Sequence, residues 1–139
     1  MLERLILIAI VAIATVVAIK AMSAWTRART RTIQSQLPAW EALGDMPDGR
    51  PTLIAFSSPS CASCHTAQAP AIDLAQQRRG ADQLRVINVD VAGQPNVANA
   101  FGVLTVPSTV VIGADGSQIV AINHGFAPST RLLEQLARA

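Results

Sequence analysis

The sequence predicts an α/β protein: a mixed four-stranded sheet with flanking helices, preceded by an N-terminal transmembrane helix. Three observations predict it. Residues 5–19 are apolar apart from Thr15. From Thr52 onward, short apolar runs alternate with helix-like stretches in the order β-α-β-α-β-β-α. The first two strand-like runs are joined by a helix, which predicts a parallel pair with a right-handed crossover; the last two are joined by a tight turn, which predicts an antiparallel hairpin.

The elements follow in chain order. Residues 5–19 read LILIAIVAIATVVAI. A span needs about 20 residues. Lys20 can snorkel and Trp25 suits the interface, so membrane contact is expected over residues 5–25. A cleaved signal peptide is the competing reading, but its basic flank would rest on Arg4, offset by Glu3, and Ala21-Met22-Ser23 is a poor cleavage site. Residues 1–26 are therefore read as an uncleaved anchor and 27–37, rich in Arg, Thr and Gln, as a basic polar stem. Residues 38–139 form the domain. Pro38 opens a short helix over 39–43, stopped by Gly44, and Pro47-Asp48-Gly49 marks a turn. Residues 52–57, apolar and bounded by Pro51 and Pro59, read as a buried strand. Residues 61–79 read as a helix ending at Gly80, with a kink expected at Pro70. A second strand is expected over 85–90 and a short helix over 94–101, ended by Gly102. Strands over 108–112 and 118–123 flank the turn Gly113-Ala114-Asp115-Gly116. Ser129 or Thr130 is expected to cap a last helix with Leu132, Leu133 and Leu136 on one face.

The chain of 139 residues is 50% hydrophobic and 14% charged. Its charge is divided. Residues 1–37 carry a net +4 and residues 38–139 a net −2. The domain has no basic stripe and no aromatic platform, which argues against nucleic-acid binding. Arg27, Arg29 and Arg31 directly follow the apolar run, and the positive-inside rule then places the domain in the cytoplasm. An extracytoplasmic domain is the alternative.

Cys61 and Cys64 are the only two cysteines. They stand between a strand-like and a helix-like run. A thiolate at a helix N-terminus is stabilised by the helix dipole and by unpaired backbone N–H groups. A second cysteine one turn further on can close a disulfide with it. With no third cysteine for a structural bridge, the pair either performs chemistry or binds something.

These residues resemble the thioredoxin superfamily. The resemblance rests on Cys61-Ala62-Ser63-Cys64 at a helix start, on Asn88-Val89-Asp90 ending the next strand, and on Phe101-Gly102-Val103-Leu104-Thr105-Val106-Pro107-Ser108-Thr109. It covers about residues 38–139, with Gly125 matching the glycine before the last helix. It implies a thioredoxin-like fold and, together with the apolar N-terminal run, a membrane-anchored thiol–disulfide oxidoreductase without a bound cofactor, with reduction favoured and oxidation and isomerisation left open. Cys61 is implied as the attacking thiolate and Cys64 as the resolving thiol. A cis Val106–Pro107 bond beside them is implied to present backbone to an extended substrate. Protein disulfides or dithiols are the implied substrates. A thioredoxin reductase or a membrane electron carrier is the implied redox partner.

The departures from the family also carry information. Pro59-Ser60 precedes Cys61 where close thioredoxins have tryptophan. Ala62-Ser63 replaces Gly-Pro. Ala55 and Val86 stand where the family holds a buried aspartate and its lysine partner, which leaves water or His65 to accept the proton of Cys64. Pro70 falls one residue later than the family's helix proline. His65 is a first-turn residue that can tune Cys61 electrostatically.

Other chemistries are weighed against this one. Cys61-Ala62-Ser63-Cys64-His65 is also a c-type haem attachment motif. All three methionines precede it, however, and His124, the other candidate axial ligand, lies in strand context. Cys61, Cys64, His65 and His124 are the plausible soft metal ligands, without a second CxxC or HxxxH; a zinc bridge between two chains is the form such a site would take. A non-catalytic scaffold of the same fold is the remaining alternative, and retention of both cysteines argues against it.

Overall fold

The computed structural model describes residues 2–34 and 38–139. Its contacts divide the chain into two units, Met1–Thr32 and Ile33–Ala139. The first unit is helical. Helix α1 (Leu2–Gln34) has 33 residues, about 50 Å at 1.5 Å rise per residue. Within it, Ile6–Trp25 forms a 20-residue candidate span of mean hydropathy 2.5. Its aliphatic side chains, Ile8, Val11 and Ile13 among them, are exposed. Thr15 donates its hydroxyl to the Val11 carbonyl at 2.7 Å, which satisfies the one polar side chain of the apolar run. Residues 35–37 of the expected stem, and the side chains of Arg27, Arg29 and Arg31, lie outside the described residues.

The second unit is built on one sheet. Its elements are α2 (Trp40–Leu43), β1 (Thr52–Ser57), a π-helical turn (Cys64–Gln68) running into α3 (Ala69–Arg79), and a 3-10 turn (Ala81–Gln83) leading to β2 (Arg85–Asp90). Then follow α4 (Pro95–Ala100), β3 (Ser108–Ile112), β4 (Ile119–His124) and α5 (Ser129–Leu136). The strand order is β2-β1-β3-β4. β1 runs parallel to β2, as the intervening helix requires, and antiparallel to β3. β3 and β4 form the expected hairpin, with a register shift at Val111/Ile112.

Both faces of the sheet are covered, so its inner strands read as unbroken apolar runs rather than alternating ones. Leu53 and Ala55 of β1 face one cluster with Ile72 and Ala75 of α3 and Leu132 and Leu136 of α5. Ile54 and Phe56 face the other, with Val97, Ala98 and Phe101 from α4 and its C-cap. Trp40 and Leu43 of α2 pack on that second cluster. Trp40 also donates its indole N–H to the Gly116 carbonyl at 2.8 Å. That closes the N-terminal segment over the β3–β4 turn. Gly116 has φ +69°, and a Cβ there would stand 2.3 Å from Pro47 Cγ, so the turn accepts no side chain at this point.

Several expectations are corrected. Neither Ser129 nor Thr130 caps α5. Pro128 occupies the N-cap, so both fall inside the helix, and no side chain caps it. Its buried face is Leu132, Gln135 and Leu136, with Leu133 only partly buried. β4 lies one residue later than expected, because the Gln118 carbonyl closes the turn by accepting the Gly113 N–H at 3.0 Å. The break expected at Pro70 takes the form of a π-turn. Helical backbone begins at Ala62, widens over Cys64–Gln68, where the Ala69 N–H reaches the Cys64 carbonyl, and resumes as α3. Pro70 thus enters in the first turn of α3, directly after the widened turn. The π-turn adds one residue to the helix, matching the one-residue displacement of Pro70.

At one end of the sheet, Arg85 donates to Asp45 and, at 2.8 Å, to the Met46 carbonyl. Arg50 pairs with Asp48. The hydrogen bond from Arg85, helped by the Met46 N–H, holds the Asp45 carboxyl below its ordinary value of 3.8, and the bond from Arg50 does the same for Asp48. Carboxylates whose folded values are depressed add stability above the unfolded value and lose it as pH falls through the folded one. Unfolding titrations are therefore expected to show stability declining below about pH 4. Asp45→Asn should flatten that decline by lowering neutral-pH stability by the amount Asp45 otherwise loses in acid, a small amount because the pair is only half-buried.

Candidate active site

β1 ends at Ser57, and the chain turns through Ser58-Pro59-Ser60, with the Cys61 N–H bonded to the Ser58 carbonyl at 3.1 Å. This places Cys61 directly ahead of the first helical residue, at the end of the sheet where β1 stops. Cys61 and Cys64 are joined in a disulfide with Cα atoms 5.3 Å apart. The two sulfurs differ in surroundings. Cys61 is partly exposed, whereas Cys64 is 4% exposed. The Cys64 backbone N–H points at the Cys61 sulfur, 3.2 Å away. It is one of the N-terminal amides that a helix leaves without an internal partner.

The second predicted element lies at the same end of the sheet. Phe56 of β1 stands opposite Ser108 of β3, so Pro107 enters β3 level with Ser57 as β1 leaves. The Val106–Pro107 bond is cis, as expected. Pro107 is buried and its carbonyl accepts the Gly125 N–H at 2.9 Å, while Ser108 Oγ donates to the Thr105 carbonyl at 2.7 Å. These two bonds hold the loop on both sides of Val106. Among the described residues, Leu104, Thr105 and Val106 make no backbone–backbone hydrogen bond. Val91, Val103, Leu104, Thr105 and Val106 line a cleft of about 100 Å³. Leu104 is 75% exposed there.

The replaced positions also fall where expected. Ala55 is buried in an apolar cluster with Leu53 and Ile72, and Val86 packs against the same cluster. By register, Asn88, Ala55, Thr109 and Asn123 form one row across the four strands. Asn123 donates to Thr109 Oγ1 at 2.9 Å and exchanges two hydrogen bonds of 2.8 Å with the Gln135 amide. The row is therefore polar but uncharged.

His65 is exposed on the first helical turn, and His124 is exposed at the end of β4. Neither side chain makes a hydrogen bond or ion pair among the described residues. No group of three or more His, Cys, Asp or Glu stands together there.

Two residues of the site were not singled out from the sequence. Gln68, 3% exposed, donates to the Ala127 carbonyl at 3.1 Å and accepts its N–H at 2.9 Å. It ties the π-turn to the loop before α5. Its signal was helical spacing, since Cys64, Gln68, Ala71, Ile72 and Ala75 make one buried stripe. Ser63 has its hydroxyl oxygen 3.6 Å from the Cys61 sulfur. Nothing in the sequence distinguishes that serine from a surface one.

Comparison with known proteins gives a consistent picture. The family model described as Thioredoxin matches residues 41–138. Thioredoxin 1 of Synechococcus elongatus is 34% identical over 87 residues, covering 62% of this chain and 77% of that protein. Thioredoxin of Bacillus subtilis is 32% identical over 82 residues, covering 59% and 75%. Among solved structures, chloroplastic thioredoxin z aligns with a TM-score of 0.58 at 18% identity, over 66% of this chain and 79% of that one. Fasciola hepatica thioredoxin aligns with a TM-score of 0.52 at 25% identity, over 65% and 81%.

Proposed function

The chain belongs to the thioredoxin family and is a thiol–disulfide oxidoreductase, and from that premise we propose that it is a membrane-anchored reductase of protein disulfides. The observation that carries the reading is the asymmetry of the pair: a partly exposed Cys61 at a helix start, and a Cys64 that is 4% exposed. Cys61 as thiolate attacks one sulfur of a substrate disulfide. That S–S bond breaks, a mixed disulfide forms, and the departing substrate thiolate takes a proton from solvent. Cys64 then loses its proton and attacks the Cys61 sulfur. The substrate leaves with both thiols reduced, and the Cys61–Cys64 disulfide closes. Two electrons have passed from the chain to the substrate.

Val106 and Pro107 form the substrate platform in this reading. The backbone of 104–106, which makes no backbone–backbone hydrogen bond among the described residues, supports it, because an extended peptide can add there as a strand. Ala55 leaves no buried carboxylate to take the proton of Cys64, so water or His65 accepts it. A dithiol partner, a thioredoxin reductase or a membrane electron carrier, returns the chain to its reduced form. Residues 5–25 hold the chain in the membrane, residues 27–37 are the stem, and the arginines of the stem favour a cytoplasmic domain.

The test is the reduction potential of the full chain in detergent micelles, equilibrated against a dithiol buffer. A value near the ~−270 mV of thioredoxin is expected. A value approaching the ~−120 mV of strong disulfide donors would overturn the reductase direction. For the anchor, the expected result is a chain that stays in the membrane fraction at its full 14.6 kDa. A shorter, soluble product would identify residues 1–26 as a cleaved signal.

A further inference from the structure

We infer that the Ser63 hydroxyl is a catalytic hydrogen-bond donor to the Cys61 sulfur and sets how firmly the chain holds its dithiol form. The inference rests on the reading of Cys61 as the attacking sulfur. Ser63 Oγ lies 3.6 Å from Cys61 Sγ, within reach of sulfur, whose larger radius lengthens its hydrogen bonds. In the disulfide, Cys61 has no hydrogen to give, so the donor is the serine. The same direction holds after reduction, when Cys61 is a thiolate and accepts only. In the disulfide the sulfur has two donors from its own helical turn, the Cys64 N–H at 3.2 Å and the Ser63 O–H.

The two donors differ in origin. The backbone N–H is supplied by any helix that starts here. The hydroxyl belongs to this chain's inner dipeptide, Ala62-Ser63, where the Gly-Pro of related thioredoxins has no side-chain donor. Hydrogen bonds to an ionised form favour that form. Ser63 therefore raises the share of Cys61 present as thiolate at neutral pH. Because the thiolate belongs to the reduced state, it also shifts the couple toward the dithiol. The titratable groups on the surrounding elements are few. Cys64 and His65 lie on the helix, Asp90 ends β2 and His124 ends β4, while 58–60 and 104–107 carry none. Ser63 does not titrate, so its effect displaces the Cys61 titration curve without adding an inflection to it.

The experiment compares the full chain, Ser63→Ala and Ser63→Thr, all in detergent micelles. The readouts are the pH dependence of iodoacetamide alkylation, with the alkylated cysteine identified by peptide mass, and the dithiol–disulfide equilibrium. Ser63→Ala is expected to move the Cys61 titration upward and to shift the equilibrium up to tenfold toward the disulfide, about 30 mV lower in potential. Ser63→Thr, which keeps the hydroxyl, should restore both. Unchanged values in Ser63→Ala, or equal shifts in both variants, would overturn the inference. Alkylation on Cys64 instead of Cys61 would overturn the underlying assignment of the nucleophile and the inference with it. Unchanged curves with Cys61 still the alkylated residue would remove the role of Ser63 alone.

Discussion

Cys64→Ser protein is expected to accumulate as a mixed disulfide with its substrate, while Cys61→Ser forms no such adduct, although both lose turnover by at least ~1,000-fold. The difference follows from position. In Cys64→Ser, Cys61 remains at the helix start, partly exposed and with the residue 64 backbone N–H still aimed at it. It attacks, and serine cannot resolve the adduct. In Cys61→Ser, the remaining sulfur is 4% exposed and an incoming disulfide does not reach it. Non-reducing electrophoresis of membranes expressing each variant separates the outcomes. Adducts of equal abundance on both variants would mean that either cysteine can attack, and the proposed order of steps would fail.

Phe56→Ala is expected to remove about 3–5 kcal/mol of stability, the range for truncating a large buried aromatic. Phe56 is 1% exposed, its ring centroid lies 5.9 Å from that of Phe101, and it sits among Val89, Val97 and Val110. A domain of this size has about 5–15 kcal/mol in total, so about a fifth or more of the reserve is at stake. The position bears on function too. Phe56 pairs with Ser108 across the sheet, one step from both Ser57 and Pro107. Phe56→Leu, which leaves a smaller void, should cost less than half as much. Urea unfolding of the full chain in micelles, followed by tryptophan fluorescence, measures both. A loss below 1 kcal/mol for Phe56→Ala would show that the cluster collapses around the gap.

Much of this protein was legible from its residues. The buried strands announced themselves as short apolar runs between Pro and Gly, and β1, β2 and β3 have the expected bounds. Cys61-Ala62-Ser63-Cys64-His65 taken alone fits two chemistries, haem attachment and dithiol exchange. Its position between a strand and a helix, followed 43 residues after Cys64 by Pro107, favoured the second. Errors came where two local signals competed. Ser129 and Thr130 both resemble caps, yet Pro128 takes that position because its extended backbone, ψ 156°, already turns the chain into the helix. Leu132, Leu133 and Leu136 do pack on one cluster as expected, but the neighbouring sheet face offers Asn123, and Gln135 also turns inward to pair with it.

Local chemistry along the chain settled the element types, the parallel β1–β2 pair, the dithiol at a helix start and the apolar length of α1. Each depends on dihedral limits, hydrophobic period or spacing within a few residues, and these are written in order along the sequence. The tertiary structure alone decided the order β2-β1-β3-β4, the π-turn fastened by Gln68 to Ala127, the closure of Trp40 over Gly116, and the Thr109–Asn123–Gln135 network beside Ala55. Those features join residues from 12 to 76 positions apart. Their partners are selected by which side chains remain unsatisfied once the sheet has formed, a condition that no local stretch of sequence carries.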